Sequence, residues 1–125
     1  RRVGPVRAVL DTNILVDYLN GVPAARDEIG LYRRPLISAV TWMEVMVGAA
    51  GDEEPQIRTF LRRFGYIPIN ERVAETAVRL RRERRLKLPD AIVLASAVEE
   101  GALLVSRNTK DFSADEPGIR VPYRL

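Results

Sequence analysis

Short, wholly apolar blocks alternate along the chain with longer stretches in which apolar positions return at helical spacing, and this divides it into strands and helices. Val6–Leu10, apolar but for Arg7, predicts a buried strand that stops at the polar "DTN". Ile14–Asn20 predicts a helix stopped by Gly21, and Pro23 opens another through Ile29. "PLIS" (35–38) predicts a second strand and Ala39–Ala50 a helix closed by Gly51. "DEEPQIRTFLRRF" (52–64) predicts a helix with acids in its first turn and arginines in its last, as the helix dipole favours. "YIPI" (66–69) is a third strand candidate, weakened by its proline. Asn70 caps a helix over Glu71–Leu86, and Pro89 starts one that runs to Glu100 and ends at Gly101. "ALLVS" (102–106) predicts a buried strand, "RNTKDF" a loop, and "GIRVPY" (118–123) a last, edge-like strand.

Strands alternating with helices indicate an α/β fold, with a mostly parallel central sheet of four to five short strands flanked by helices. The length suits one domain over 1–125, without repeats, low-complexity stretches or internal linkers. In such folds ligands gather at the C-terminal ends of the strands. Asp11 immediately follows the first strand, and Asp111 lies beyond "LLVS" in a following loop.

Composition narrows the chemistry more than it changes the fold. Apolar and charged fractions of 46% and 30% are those of a folded globular chain. No apolar run approaches the roughly 18–20 residues that cross a bilayer, and no signal-peptide pattern precedes the first strand. The expectation is a cytoplasmic protein with no membrane association. There is no Cys and no His, which removes disulfides, thiolate chemistry, Cys-based zinc sites and the commonest general base. Any metal site must be built from oxygen ligands, which favours Mg²⁺ or Mn²⁺ over Zn²⁺. Net charge is only +3, but eighteen of the twenty basic residues are Arg. That bias reflects either a GC-rich genome or a need to grip phosphate bidentately.

Three acids occupy special settings. Glu44 sits in "SAVTWMEVMVGAA", a helix apolar nearly all round, and is expected to be buried. There it needs a distant Arg, a proton, a route to water, or a cation. Asp90 opens "LPDAIVLASA" at a helix start, where dipole stabilisation alone would also explain it. Asp11 follows a strand and could simply cap the next helix. Asp111, near Arg107 and Lys110, could be a surface acid. Taken together they could converge on one rim, where carboxylates repel unless a cation neutralises them. A hard divalent ion is the natural solution, and such clusters suit phosphoryl transfer and nuclease chemistry.

The ordered set "AVLDTNILVDYL", "ISAVTWMEVMVGA", "LKLPDAIVLASAVEEGALLVSRNTKDF" and "IRVPY" covers nearly the whole chain and resembles a PIN domain, most closely a VapC-type toxin ribonuclease of bacterial toxin–antitoxin pairs. The resemblance implies Asp11, Glu44 and Asp90 as metal-binding acids. It puts the fourth acid within "RNTKDF"; Asn108 cannot supply a charge, so the fourth carboxylate is placed at Asp111. Thr12 and Asn13 resemble the family's polar residues after the first Asp, orienting Asp11 or a water. Ser38 and Thr41 would do likewise for Glu44; local helix capping is the competing role for these four. The resemblance further implies single-stranded RNA as substrate, Mg²⁺ or Mn²⁺ as cofactor, 5′-phosphate and 3′-hydroxyl products, a homodimer, and a small antitoxin whose tail inserts into the acidic groove.

"RLRRERRLK" (79–87) carries six basic residues and one acid. It is either a solvated surface or a phosphate-tracking strip beside the acidic centre. In the second case Arg84, Arg85 and Lys87, with Arg107 and Lys110 from the later loop, would contact RNA. Two other functions stay open. An acid-pocket phosphatase would want a second Asp two residues after the first, where this chain has Asn13. A non-catalytic PIN-like binding module would keep the fold without the chemistry.

Overall fold

Five strands form one parallel sheet in a computed structural model of the protein, which describes residues 6–125. They are β1 (Ala8–Leu10), β2 (Leu36–Ser38), β3 (Gly65–Ile67), β4 (Leu103–Val105) and β5 (Ile119–Arg120), in the order β3-β2-β1-β4-β5. The helices are α1 (Thr12–Leu19), α2 (Pro23–Gly30), α3 (Ala39–Gly48), α4 (Glu54–Leu61), α5 (Glu71–Arg84) and α6 (Leu88–Glu100). This is the expected α/β architecture, helices on both faces of a short-stranded sheet. Arg1–Pro5 of the anticipated 1–125 unit lie outside the described residues.

Helices cover both faces, so the central strand β1 is buried at every position and period 2 decides which core each residue joins. On β1, Val9 points into the cluster made with α5 and α6, including Val73, Leu80, Val93, Leu104 and Phe112. Its neighbours Ala8 and Leu10 point the other way, to Ile14, Leu15, Ile37, Val45, Phe60 and Phe64. Burying side chains of this size contributes about 1.5–3 kcal/mol each.

Local signals set most helix ends. The Asn70 side chain accepts from the Val73 N–H at 2.9 Å and starts α5. Pro89 stands in the first turn of α6, and Gly101 stops it at φ 63°, a backbone conformation that suits glycine. Several boundaries differ from expectation. β1 begins at Ala8 rather than Val6, and β5 is two residues long rather than six because Val121 and Pro122 find no place in the ladder. α3 ends at Gly48; Gly51 opens a 3₁₀ turn, Gly51–Glu53, that leads into α4, which stops at Leu61 rather than Phe64. α5 ends at Arg84 instead of Leu86, because Arg85 turns left-handed at φ 56°.

From β1 the chain runs outward through β2 to β3, then returns to place β4 and β5 on the opposite side of β1. The C-terminal ends of β1 and β4 therefore flank the point where strand order reverses. In open α/β sheets this switch point is where the ligand crevice lies.

Candidate functional site

Asp11 is delivered to that crevice by β1. Its backbone N–H donates to the Val105 carbonyl of β4 at 2.9 Å, and the chain then turns into α1 with Asp11 as N-cap. Its carboxylate accepts from the Thr12 backbone N–H at 2.8 Å, the Ser106 hydroxyl at 2.7 Å and, at longer range, the Asn13 amide at 3.3 Å. Only 5% of Asp11 is exposed. Burial pushes its carboxyl above the ordinary range; the bonds from Ser106, Thr12 and Asn13 oppose the rise, and the charge on Glu44 adds to it.

Sequence reasoning did not single out Ser106, yet it sits at the centre of the crevice, fully buried at the end of β4. Besides donating to Asp11, its oxygen accepts from the Asn13 amide at 3.2 Å and the Asn108 backbone N–H at 3.0 Å. The one available signal was its position, a small polar residue ending a buried strand as Asp11 does. Asn13 completes the link by accepting from the Arg107 backbone N–H at 3.2 Å.

Glu44 differs from expectation. It is exposed, because α3 packs through Val40, Thr41 and Val45 and turns Met43, Glu44 and Val47 to solvent. Apolar composition did not reveal which side of this helix faces the core. The Thr12 hydroxyl donates to Glu44 Oε1 at 2.6 Å, and the hydroxyls of Thr12 and buried Thr41 lie 3.0 Å apart. Ser38 does not reach Glu44 directly. Its oxygen accepts from the Val40 N–H at 3.1 Å and fixes the start of the helix that carries Glu44.

Asp90 is half-buried in the first turn of α6. Burial raises its carboxyl first, and the charges on Asp11, Asp111 and Glu44 raise it further, with Lys87 pulling the other way. Asp111 is braced by Asn108, whose amide donates to Asp111 Oδ2 at 2.9 Å and whose oxygen accepts the Asp111 backbone N–H at 3.4 Å. Four carboxylates from β1, α3, α6 and the loop after β4 thus lie within charge–charge reach of Asp90 or are that residue.

Among the described residues, no group of three acids is close enough to hold a cation as it stands. The donor chemistry fits a hard divalent ion all the same. Every candidate ligand is a carboxylate oxygen, and the mutual repulsion that raises Asp90 is what a cation would relieve.

The basic residues divide. Arg84 is held in a close bidentate pair by Glu116, and Arg107 by Asp17 at 2.5 and 2.9 Å. Both guanidiniums are tied into ion pairs while staying partly exposed. Arg85, Lys87 and Lys110 are exposed.

The sequence matches the PIN domain over residues 8–115. No curated protein matches it. Among solved structures, a chain of a toxin-antitoxin complex from Klebsiella pneumoniae is 44% identical, with a TM-score of 0.90 over 94% of this chain and 99% of that one. DNA-bound VapBC from Salmonella typhimurium matches at 24% identity and a TM-score of 0.76, over 92% of this chain and 96% of that one. FitAcB from Neisseria gonorrhoeae matches at 20% identity and 0.77, over 94% and 99%. The last two are likenesses of fold.

Proposed function

The chain belongs to the PIN domain family, and on that premise we propose that it is a metal-dependent endoribonuclease acting on single-stranded RNA, the toxin of a toxin–antitoxin pair. The observation that carries this reading is the coupling of Asp90 to Asp11, Asp111 and Glu44 at the switch point of the sheet. Four acids that strain one another are costly to keep unless something binds them. Asp11, Glu44, Asp90 and Asp111 would hold Mg²⁺ or Mn²⁺. When bound, the ion makes water more acidic and neutralises charge developing on the scissile phosphate.

The protein's own residues supply the rest. Ser106, Asn13 and the Thr12 N–H oppose the rise that burial imposes on Asp11 and orient its carboxylate. Thr12 holds exposed Glu44 to the rim, and Asn108 holds Asp111. Lys87 favours the charged form of Asp90; with Arg85 and Lys110 it would attract the RNA backbone. The phosphatase alternative loses ground, because Asn13 is uncharged and engaged with Asp11, Ser106 and Arg107. The 44% identical relative comes from a toxin-antitoxin complex, which supports an antitoxin as partner; in this proposal the antitoxin is small and its tail would enter the acidic groove. A single domain over 1–125, a homodimer and a cytoplasmic location complete the proposal. No helix among the described residues is long and apolar enough to cross a membrane.

The test is cleavage of a mixed single-stranded RNA pool by the purified, antitoxin-free protein, with EDTA, Mg²⁺ or Mn²⁺. Cutting should require a divalent ion, leave 5′-phosphate ends and vanish in Asp90→Asn. Metal-independent cutting, or full activity in the variant, would refute it. A chain that binds RNA and metal without cutting would be a binding module.

A further inference from the structure

We propose that the ion pair between Asp17 and Arg107, with Tyr123 as a third partner on Asp17, is a positioning device that sets the loop carrying Asp111 against the helix carrying Asp11. The inference rests on the cation-binding reading of these acids and deepens it. Asp17 lies on α1 and is only 3% exposed. Arg107 grips it with two parallel bonds, Nε to Oδ2 at 2.5 Å and Nη2 to Oδ1 at 2.9 Å. The Tyr123 hydroxyl donates to Oδ2 at 2.8 Å.

Position makes this pair more than a tie. Arg107 stands between Ser106, which bonds to Asp11, and Asn108, which bonds to Asp111. Its own backbone N–H donates to Asn13, and Asn13 in turn donates to Asp11. Three successive residues leaving β4 are thus each fastened to the site, and the side chain of the middle one is fastened to α1. An unanchored loop would have to be ordered each time the site assembled, at an entropic cost per residue. A two-point guanidinium–carboxylate fork fixes both distance and direction. Taking a carboxylate out of water to pair it is seldom more stabilising than an apolar contact of the same size, so burying Asp17 against the partly exposed Arg107 fits a demand for geometry. Asp17 is held well into its charged form, chiefly by the bond from Arg107.

Arg107→Lys keeps the charge and loses the fork; Tyr123→Phe keeps the ring and loses one bond to Asp17. Each would be compared with wild type and Asp111→Asn, by Mg²⁺ titration of the full chain followed by calorimetry and by RNA cleavage resolved into kcat and KM. Arg107→Lys, folded by circular dichroism, should bind Mg²⁺ about tenfold more weakly and lose kcat with KM for RNA unchanged, with Tyr123→Phe shifted the same way to a lesser degree. If Arg107→Lys does not fold, Tyr123→Phe decides alone. Mg²⁺ affinity and kcat within about twofold of wild type in the deciding variant would overturn the proposal. So would a rise in KM alone, which would make Arg107 an RNA contact. A wild-type chain that neither binds Mg²⁺ nor cuts RNA overturns the cation reading and this inference with it. Wild-type binding and cutting beside an unaffected variant overturns this inference only.

Discussion

A serine hydroxyl has one proton to give and two lone pairs to receive with, and Ser106 uses all three, on Asp11, Asn13 and Asn108. Removing it leaves a buried carboxylate and a half-buried backbone N–H short of a partner at once. Ser106→Ala should therefore cost about 1–3 kcal/mol in denaturant unfolding and weaken Mg²⁺ binding as well. Unchanged Mg²⁺ affinity would show that Asp11 is oriented by α1 alone. The acids themselves should behave in the opposite sense. Asp90 is raised by burial and by three like charges, so ionising it opposes folding at neutral pH. Without divalent ions, Asp90→Asn should raise the thermal midpoint by a few degrees; with Mg²⁺ present it should abolish cleavage. A lower midpoint would mean that Asp90 stabilises the helix start more than its neighbours repel it. Asp11, Glu44 and Asp90 were legible because each is a charge at the edge of, or inside, an apolar run. Ser106 was not. A serine at a strand end is unremarked until β4 is known to lie beside β1, and no local pattern carries that adjacency.

Caps and stops made the helices legible: Asn70, Pro89 and Gly101 act at the element ends through neighbours a few residues away. What escaped was orientation. α3 is apolar enough to be buried on any side, and only packing against its neighbours turns Glu44 to the crevice rim and Val47 to solvent. The end of α5 escaped too, since Arg85 adopts φ 56° and ψ 31° without being glycine or asparagine. That conformation costs an L-residue about 1–2 kcal/mol. It buys the reversal that buries Leu86 and makes Lys87 the N-cap of α6, three residues before Asp90. Arg85→Gly should relieve the strain and, after the added freedom of glycine in the unfolded chain, stabilise the protein by up to about 1 kcal/mol. A destabilised variant would show that the Arg85 side chain is held by contacts that outweigh its backbone. If Arg85 also meets RNA, the same variant should raise KM without touching Mg²⁺ affinity.

Across the whole molecule, two sets of perturbed acids pull stability in opposite directions with pH. Asp17 is held below the ordinary range, chiefly by the bond from Arg107. Glu28 also lies below it: burial pushes it upward, but the bonds from Arg120 and Tyr32 prevail. Groups lowered in the folded state add stability that is complete above their unfolded values, near pH 4, and is lost as pH falls through their folded ones. Asp11 and Asp90 are raised. In the folded chain they hold protons that the unfolded chain has released, so stability declines as pH climbs from about 4 through their folded values. The metal-free protein should accordingly be most stable in weak acid, with a midpoint that falls toward neutral pH and falls again below about pH 4. On the proposed function, Mg²⁺ would bind the ionised acids. At millimolar concentration it should lift the neutral limb by mass action and leave the acid limb alone, and Asp90→Asn should flatten the neutral limb with no metal present. Thermal scans across pH, with and without Mg²⁺, measure both. A midpoint that rises steadily to neutral pH in EDTA would mean that the four carboxylates are not a load on the fold, and the strongest physical reason for a cation among them would be gone.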